Sequence, residues 1–103
     1  MPTSVSNQAE VSAPDNGLNS NNQAIAIQNF SFSQPVITVK KGDTVVWTNK
    51  DSAPHTVTGA DGGPSSPTIN KNESYSFKFD NIGTFNYLCS FHPSMKGAVI
   101  VTQ

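Results

Sequence analysis

From residue 24 onward the chain consists of short runs in which apolar and polar residues alternate. Alternation with a period of two is typical of β-strands that bury one face and expose the other. The runs 44–49 and 74–79 are the most regular. The residues that this pattern predicts to face the core are Val45, Trp47, Tyr75, Phe77 and Phe79.

The first run, residues 24–32, changes phase part-way along. Ile25 and Ile27 alternate in one phase, whereas Phe30 and Phe32 follow in the other. One extra residue in a strand shifts every later side chain to the opposite face of the sheet. We therefore expect a β-bulge inside this strand.

Clusters of Gly, Pro, Asn and Asp separate the runs and predict turns. Helix-forming residues are scarce, while Val, Ile, Thr and Phe are plentiful. Seven to eight short strands with such turns predict an all-β protein, a Greek-key β-sandwich or barrel. Tyr87, two residues before Cys89, fits a tyrosine corner, in which the hydroxyl bonds to nearby backbone.

Composition divides the chain of 103 residues into a tail and one domain with a modest core. Residues 1–23 are rich in Ser, Asn, Gln, Pro and Ala, which predicts a disordered tail or linker that could serve as a tether. Residues 24–103 form the predicted domain. The tail has neither the basic start nor the apolar middle of a signal peptide.

The charges are few and balanced. Six lysines face seven acidic residues, which gives a net charge of −1. Nucleic-acid binding proteins normally present a basic face, so we expect no nucleic-acid partner. No apolar run approaches the roughly 20 residues of a membrane-spanning helix. We expect a monomer.

The scarcest side chains of the sequence converge on one loop. Cys89, the only cysteine, forms the pattern C-x-x-H-x-x-M with His92 and Met95, and the second histidine is His55. Taken singly, each has an ordinary explanation as a buried thiol, a polar imidazole or a core side chain. Together, two imidazoles, a thiolate and a thioether are the donor set of a type 1 copper centre.

The segments around these donors resemble the cupredoxins, especially the amicyanin, plastocyanin and halocyanin group. Residues 45–57 resemble the strand that leads to the first histidine ligand, and residues 83–101 resemble the closing hairpin. The resemblance extends over residues 24–103. It implies one type 1 copper ion per chain, with the metal ligands His55, Cys89, His92 and Met95.

Zinc is the main alternative to copper at these donors. Zinc accepts Cys and His but prefers a carboxylate, water or another Cys or His to a thioether, so Met95 favours copper. A copper chaperone or storage protein is an alternative function, as is the electron-transfer domain of a larger copper enzyme. We expect no enzymatic activity of this chain, because a catalytic copper would need more than its two histidines.

Residues beside the ligands depart from the family in two places. Thr56 stands where the family commonly has Asn, and we expect a hydroxyl contact with Ser90 to replace the missing amide. Phe91 stands where related loops often have Pro, and we expect its N–H, like that of Thr56, to donate to the Cys89 sulfur. Pro93 fixes one backbone angle and should stiffen the loop.

The predicted function is one-electron transfer between redox partners, with copper cycling between Cu(I) and Cu(II). We expect partner proteins to dock at the solvent edge of His92. The residues assigned to this edge are Pro54, Phe91, His92 and Pro93. The resemblance also implies a location outside the cytoplasm, in a periplasm or anchored to the outer side of a membrane.

Overall fold

The computed structural model describes residues 22–60 and 62–103. These residues form eight strands and no helix, and hence no helix that could cross a membrane. The strands are β1 (Asn22–Gln28), β2 (Ser31–Phe32), β3 (Val36–Lys40), β4 (Thr44–Asn49), β5 (Thr58–Gly59), β6 (Ser74–Lys78), β7 (Gly83–Leu88) and β8 (Lys96–Thr102). The predicted tail lies outside the described residues, except for its last two, which already belong to β1.

The strands form two four-stranded sheets, with the orders β2-β1-β4-β6 and β3-β8-β7-β5. In each sheet one pair of neighbours is parallel, β1 with β4 and β3 with β8. The other neighbours are antiparallel. The chain therefore crosses repeatedly from one sheet to the other, and the predicted all-β Greek-key sandwich is confirmed.

The core lies between the sheets, as the alternation predicts for β4. Val45 and Trp47 are fully buried, and Phe79 is 1% exposed. Tyr75 and Phe77 are only half-buried, because β6 is an edge strand with a neighbour on one side alone. The other buried apolar residues are Ile25, Ile27, Phe32, Ile37, Val39, Val57, Ile69, Tyr87, Cys89, Met95, Val99 and Val101.

A tight turn, not a bulge, causes the phase change after β1. Asn29 and Phe30 form a two-residue hairpin turn in which Gln28 pairs with Ser31. Their φ angles are 55° and 56°, as in the type I′ turns that suit the twist of a hairpin. The predicted bulge is wrong, because an extra residue shifts the phase equally whether it lies in a strand or in a turn.

The tyrosine corner is also wrong. Within the described residues the buried hydroxyl of Tyr87 has no hydrogen-bond partner, and neither has the indole nitrogen of Trp47. The two rings meet edge to face, with centroids 5.4 Å apart. Tyr87 instead folds over Gly97, its partner on β8, where a Cβ atom would overlap the phenol ring.

Candidate metal centre

The loop between β7 and β8 folds into two consecutive turns. The His92 N–H donates to the Cys89 carbonyl at 3.1 Å, and the Met95 N–H donates to the His92 carbonyl at 2.8 Å. The Cys89 N–H closes the loop by donating to the Met95 carbonyl at 3.0 Å. The three-residue spacing of the motif is thus the spacing of turn hydrogen bonds, and it gathers these residues at one end of the sandwich.

His55 reaches the same end from the other sheet, through the segment that follows β4. Its N–H and carbonyl both bond to Ile69, at 3.1 and 2.8 Å. Asn49, the last residue of β4, is fully buried. Its amide donates to the carbonyls of Ala53 and Ile69, each at 2.8 Å, and its oxygen accepts the Asp51 N–H at 2.8 Å. This one side chain therefore holds the segment that leads from β4 to His55.

Three donor atoms converge between the two loops. The Cys89 sulfur lies 3.7 Å from Nδ1 of His55 and 3.7 Å from Nδ1 of His92, and all three atoms lie within 4.8 Å of one another. A metal about 2.3 Å from sulfur and about 2.0 Å from nitrogen would separate such donors by about 3.5–3.8 Å at trigonal or tetrahedral angles. The three side chains therefore fit a single metal ion.

The surroundings of the donors differ in their access to solvent. Cys89 and His55 are fully buried, Met95 is 5% exposed, and His92 is half-buried. The group contains no carboxylate ligand, and the thiolate and thioether are soft donors that favour copper over harder ions. His92 is the ligand through which the site meets solvent.

Thr56 joins the two loops that carry the ligands. Its N–H donates to the Cys89 sulfur, with N and S 3.4 Å apart. Its hydroxyl oxygen accepts the Ser90 N–H at 2.8 Å and lies 3.0 Å from the Ser90 hydroxyl. A hydrogen bond to the sulfur draws charge from a thiolate ligand and tunes the metal it holds.

Asp51 contacts the far side of His55. One carboxylate oxygen lies 2.9 Å from Nε2 of His55, and the carboxylate also accepts the N–H groups of Asn29, at 2.8 Å, and Phe30, at 3.0 Å. Partial burial acts to raise the pKa of Asp51, but the bonds from Phe30, His55 and Asn29 outweigh it and lower the pKa below the ordinary 3.8.

Phe30 covers both imidazoles. Its ring centroid lies 5.4 Å from that of His55 and 5.0 Å from that of His92, in both cases edge to face. Because β1 and β4 run parallel, the turn after β1 lies at the same end of the sheet as the segment after β4. The outer side of the phenyl ring remains exposed, at 53%.

The chain is similar in sequence to known copper proteins. Residues 19–102 match the copper binding proteins of the plastocyanin/azurin family. The chain belongs to this family. It is a cupredoxin, and copper is its cofactor, since the donor set assembled here is that of a type 1 copper centre.

Among its relatives this cupredoxin is similar to amicyanin-alpha of Methylorubrum extorquens, with 37% identity over 82 residues, 75% of this chain and 69% of that protein. It is 35% identical to amicyanin of Paracoccus denitrificans, over 75% of this chain and 63% of that protein. It is 36% identical to plastocyanin of Scenedesmus fuscus, over 68% of this chain and 85% of that protein. The match spans about two thirds of the amicyanins.

Solved structures of amicyanin share the fold. A proline-to-phenylalanine variant in the reduced state aligns with a TM-score of 0.73 at 35% identity, covering 78% of this chain and 81% of that one. An oxidised proline-to-alanine variant aligns with a TM-score of 0.75 at 32% identity, covering 82% and 86%. Reduced and oxidised amicyanins are thus both similar to this cupredoxin.

Of the contacts expected for the residues around the ligands, the structure contains some and lacks others. The Thr56–Ser90 contact is present. The expected bond from the Thr56 N–H to the Cys89 sulfur is present, and in the described part of the chain Thr56 is the one backbone donor to that sulfur, without a second bond from Phe91. The side chain of Phe91 is instead 51% exposed, and Pro93 is exposed beside it.

The sequence did not predict three residues that support the metal site: Asn49, Asp51 and Phe30. Asn49 did leave a signal, because it is a polar residue in the inward phase of β4, in line with Val45 and Trp47. Asp51 and Phe30 left none, because their contacts depend on the pairing of β1 with β4, which the local pattern does not reveal.

Proposed function

We propose that this cupredoxin carries single electrons between redox proteins, with one copper ion alternating between Cu(I) and Cu(II). His55, Cys89 and His92 hold the ion, and Met95 is the weak fourth ligand. The observation that supports the proposal most directly is the convergence of two imidazole nitrogens and one thiol sulfur within 4.8 Å. Copper supplies the one-electron couple, and the thiolate supplies the covalent contact with the metal.

The protein's own contribution is a frame that holds the ligands still. Backbone hydrogen bonds close the 89–95 loop, and the N–H and the carbonyl of His55 both bond to the backbone of Ile69. The hydroxyl of Thr56 ties the loops together. These bonds do not involve the metal, so the ligands should move little when the copper changes its charge. Little rearrangement energy then opposes electron transfer.

Redox partners dock, in this proposal, at the edge around His92. Phe91 and Pro93 flank this half-buried imidazole in the chain, Pro54 precedes His55, and all three are exposed. Phe30 adds a further exposed ring. We call these four residues and His92 the histidine edge. None of its members carries a permanent charge, so a partner with a flat apolar patch around its own redox centre would fit it.

Membership of the family supports a proposal for the biological setting. We place the protein outside the cytoplasm, periplasmic or anchored to the outer side of a membrane, and as a monomer. Electron transfer is its proposed activity without catalysis of a substrate reaction, because both histidines of the chain are already used in one site. That the tail predicted for residues 1–23 serves as a tether stays a prediction from composition.

Addition of Cu(II) to the purified protein tests the proposal. We expect an intense blue absorption band, the narrow copper hyperfine splitting of a type 1 site in electron paramagnetic resonance, and a reversible one-electron wave in voltammetry. A copper store or chaperone would instead bind Cu(I) without a blue Cu(II) form and without a reversible wave, and that outcome would overturn the proposal.

A further inference from the structure

The carboxylate of Asp51 links the metal centre to a turn that contributes no ligand. Oδ1 accepts the Asn29 N–H at 2.8 Å, while Oδ2 accepts the Phe30 N–H at 3.0 Å and lies 2.9 Å from Nε2 of His55. The Asp51 side chain is 13% exposed and that of His55 is fully buried. One nearly buried group thus contacts three residues on two segments distant in sequence.

The contact with Asp51 determines which nitrogen of His55 carries the proton. An ionised carboxylate can only accept hydrogen bonds, so Nε2 must carry the hydrogen that it donates to Asp51. A neutral imidazole has only one N–H, and Nδ1 is left with its lone pair. Nδ1 is the atom that faces the Cys89 sulfur at 3.7 Å. The bond therefore aims the free lone pair at the metal position.

The same carboxylate holds a strained turn. Asn29 and Phe30 both have positive φ, a conformation that costs residues other than glycine about 1–3 kcal/mol each and persists only where surrounding contacts hold it. Asp51 accepts both of their N–H groups and so provides such contacts. The turn carries the phenyl ring that contacts both imidazoles.

We propose that Asp51 is a positioning residue of the copper centre. It selects the tautomer of His55 that presents Nδ1 to the metal, and it holds Phe30 as a cover over both imidazoles. Every one of these contacts lies within the protein, so we expect the arrangement to form before metal binds. This inference rests on the proposed function, since it assigns His55 to copper.

The first test uses metal-free wild-type protein and needs no variant. Nitrogen-15 NMR of the imidazole rings distinguishes a protonated ring nitrogen from one with a free lone pair. We expect Nε2 of His55 to be protonated and Nδ1 not, and we expect slow hydrogen exchange at the Asn29 and Phe30 amides. A proton on Nδ1 of His55 would overturn the proposal.

The second test compares Asp51→Asn and Asp51→Glu with Asp80→Asn. Asp80 is an exposed acid whose only ion pair among the described residues is with Lys78, at 3.8 Å, so it controls for the loss of one charge. In metal-free Asp51→Asn we expect a mixture of His55 tautomers and exchange at Asn29 and Phe30 at least about tenfold faster. Asp51→Glu keeps a carboxylate acceptor and should restore part of the wild-type tautomer preference and part of the slow amide exchange. Asp80→Asn should change neither the tautomer nor the exchange rates.

The third test loads the same variants with copper. Replacing a hydrogen-bond partner of a ligating histidine typically lowers metal affinity about 10- to 100-fold. We expect a loss of this size for Cu(II) in Asp51→Asn, together with a higher reduction potential, because a carboxylate behind the imidazole makes it a better donor to Cu(II). Asp80→Asn should retain the wild-type affinity and potential.

The outcomes separate this inference from the proposed function. A wild-type protein that never turns blue with Cu(II) would overturn the electron-carrier function, while the metal-free NMR would still judge the role of Asp51. A blue wild-type protein whose Asp51→Asn variant keeps the tautomer, the amide exchange and the copper affinity would overturn the role of Asp51 alone. If Asp51→Asn does not fold, the wild-type tautomer and the Asp51→Glu variant decide.

Discussion

The hydroxyl oxygen of Thr56 accepts the Ser90 N–H at 2.8 Å and lies 3.0 Å from the Ser90 hydroxyl. Each residue is the direct neighbour of a metal ligand, Thr56 of His55 and Ser90 of Cys89. The pair therefore joins the two loops at the point where they hold the metal. Thr56 also donates its backbone N–H to the Cys89 sulfur, so one residue provides both a mechanical and an electrostatic link.

Thr56→Val should loosen this link without changing the backbone donor. Valine has nearly the same shape, but it can neither accept the Ser90 N–H nor bond to the hydroxyls of Ser90 and Thr58, which lie 3.0 and 2.9 Å from the Thr56 hydroxyl. We expect the metal-free protein to lose about 1–3 kcal/mol of unfolding free energy, measured by urea titration. Thr56→Ser keeps the hydroxyl and should lose less. Equal stability of Thr56→Val and wild type would show that the loops do not depend on this contact.

Cys89→Ser should abolish the blue colour and preserve the β-fold. The colour arises from charge transfer between thiolate and copper, and a serine hydroxyl is too hard and too weakly acidic to take its place. Absorption after Cu(II) addition and far-ultraviolet circular dichroism measure the two effects. Ser94→Ala, an exposed change in the same loop, is the control and should stay blue. A coloured Cys89→Ser protein would refute the ligand assignment.

The sequence predicted those parts of the fold and site that depend on local chemistry. Alternation in β4 is a property of neighbouring residues, and it correctly placed Val45 and Trp47 in the core. The spacing of Cys89 and His92 likewise reflects a turn, which short segments form by themselves. A rare donor set gathered in one loop is therefore recognisable from the order of the residues alone.

What the sequence did not reveal depends on which strands become neighbours. The contact between Asp51 and the Asn29 N–H requires β1 to lie parallel to β4, and residues 21 positions or more apart give no periodic signal of that pairing. The incomplete burial of Tyr75 and Phe77 has the same cause, since strand alternation does not say whether β6 is an edge strand. Such features are set by tertiary structure.

Asn49→Ala should be among the most destabilising single changes in the chain. It removes three side-chain hydrogen bonds and leaves the Ala53 carbonyl and the Asp51 N–H without this partner, whereas the Ile69 carbonyl keeps the bond from the His55 N–H. Unsatisfied buried groups cost about 1–3 kcal/mol each, so we expect a loss of about 2–4 kcal/mol. Asn86→Ala changes an exposed asparagine of β7 and should cost far less. Similar midpoints of urea unfolding for the two variants would contradict the role of Asn49.

Tyr87→Phe should not destabilise the protein at neutral pH, whereas Tyr75→Phe should. The Tyr87 hydroxyl has no partner among the described residues, while the Tyr75 hydroxyl accepts the Ser65 N–H at 3.0 Å. Loss of that bond costs about 0.5–1.5 kcal/mol. The pair of variants thus separates a satisfied phenol from an unsatisfied one. A larger loss for Tyr87→Phe than for Tyr75→Phe would contradict the unpaired state of the Tyr87 hydroxyl.

The same phenol makes stability depend on pH in the alkaline range. Burial raises the pKa of Tyr87 above its ordinary 10.0, so above pH 10 the unfolded chain releases the proton while the folded protein retains it. The unfolding free energy therefore falls as pH rises above 10, by at most about 1.4 kcal/mol per pH unit from this group. Tyr87→Phe should flatten the slope relative to wild type. Identical slopes would contradict the burial of the phenol.

Electron self-exchange between two copies of the protein should proceed through the histidine edge and depend little on salt. The net charge is only −1, so repulsion between two copies is weak and apolar contact determines how they associate.

Two lysine variants test this contact surface. Phe91 is 51% exposed on the histidine edge, and Ile82 is 50% exposed elsewhere, so Phe91→Lys and Ile82→Lys add the same charge at equally exposed sites. A buried charge at the contact costs more than about 1.4 kcal/mol, or tenfold in rate. Line broadening in mixtures of Cu(I) and Cu(II) protein should therefore show exchange at least about tenfold slower for Phe91→Lys and nearly unchanged for Ile82→Lys. Equal rates for both variants would place the contact surface elsewhere.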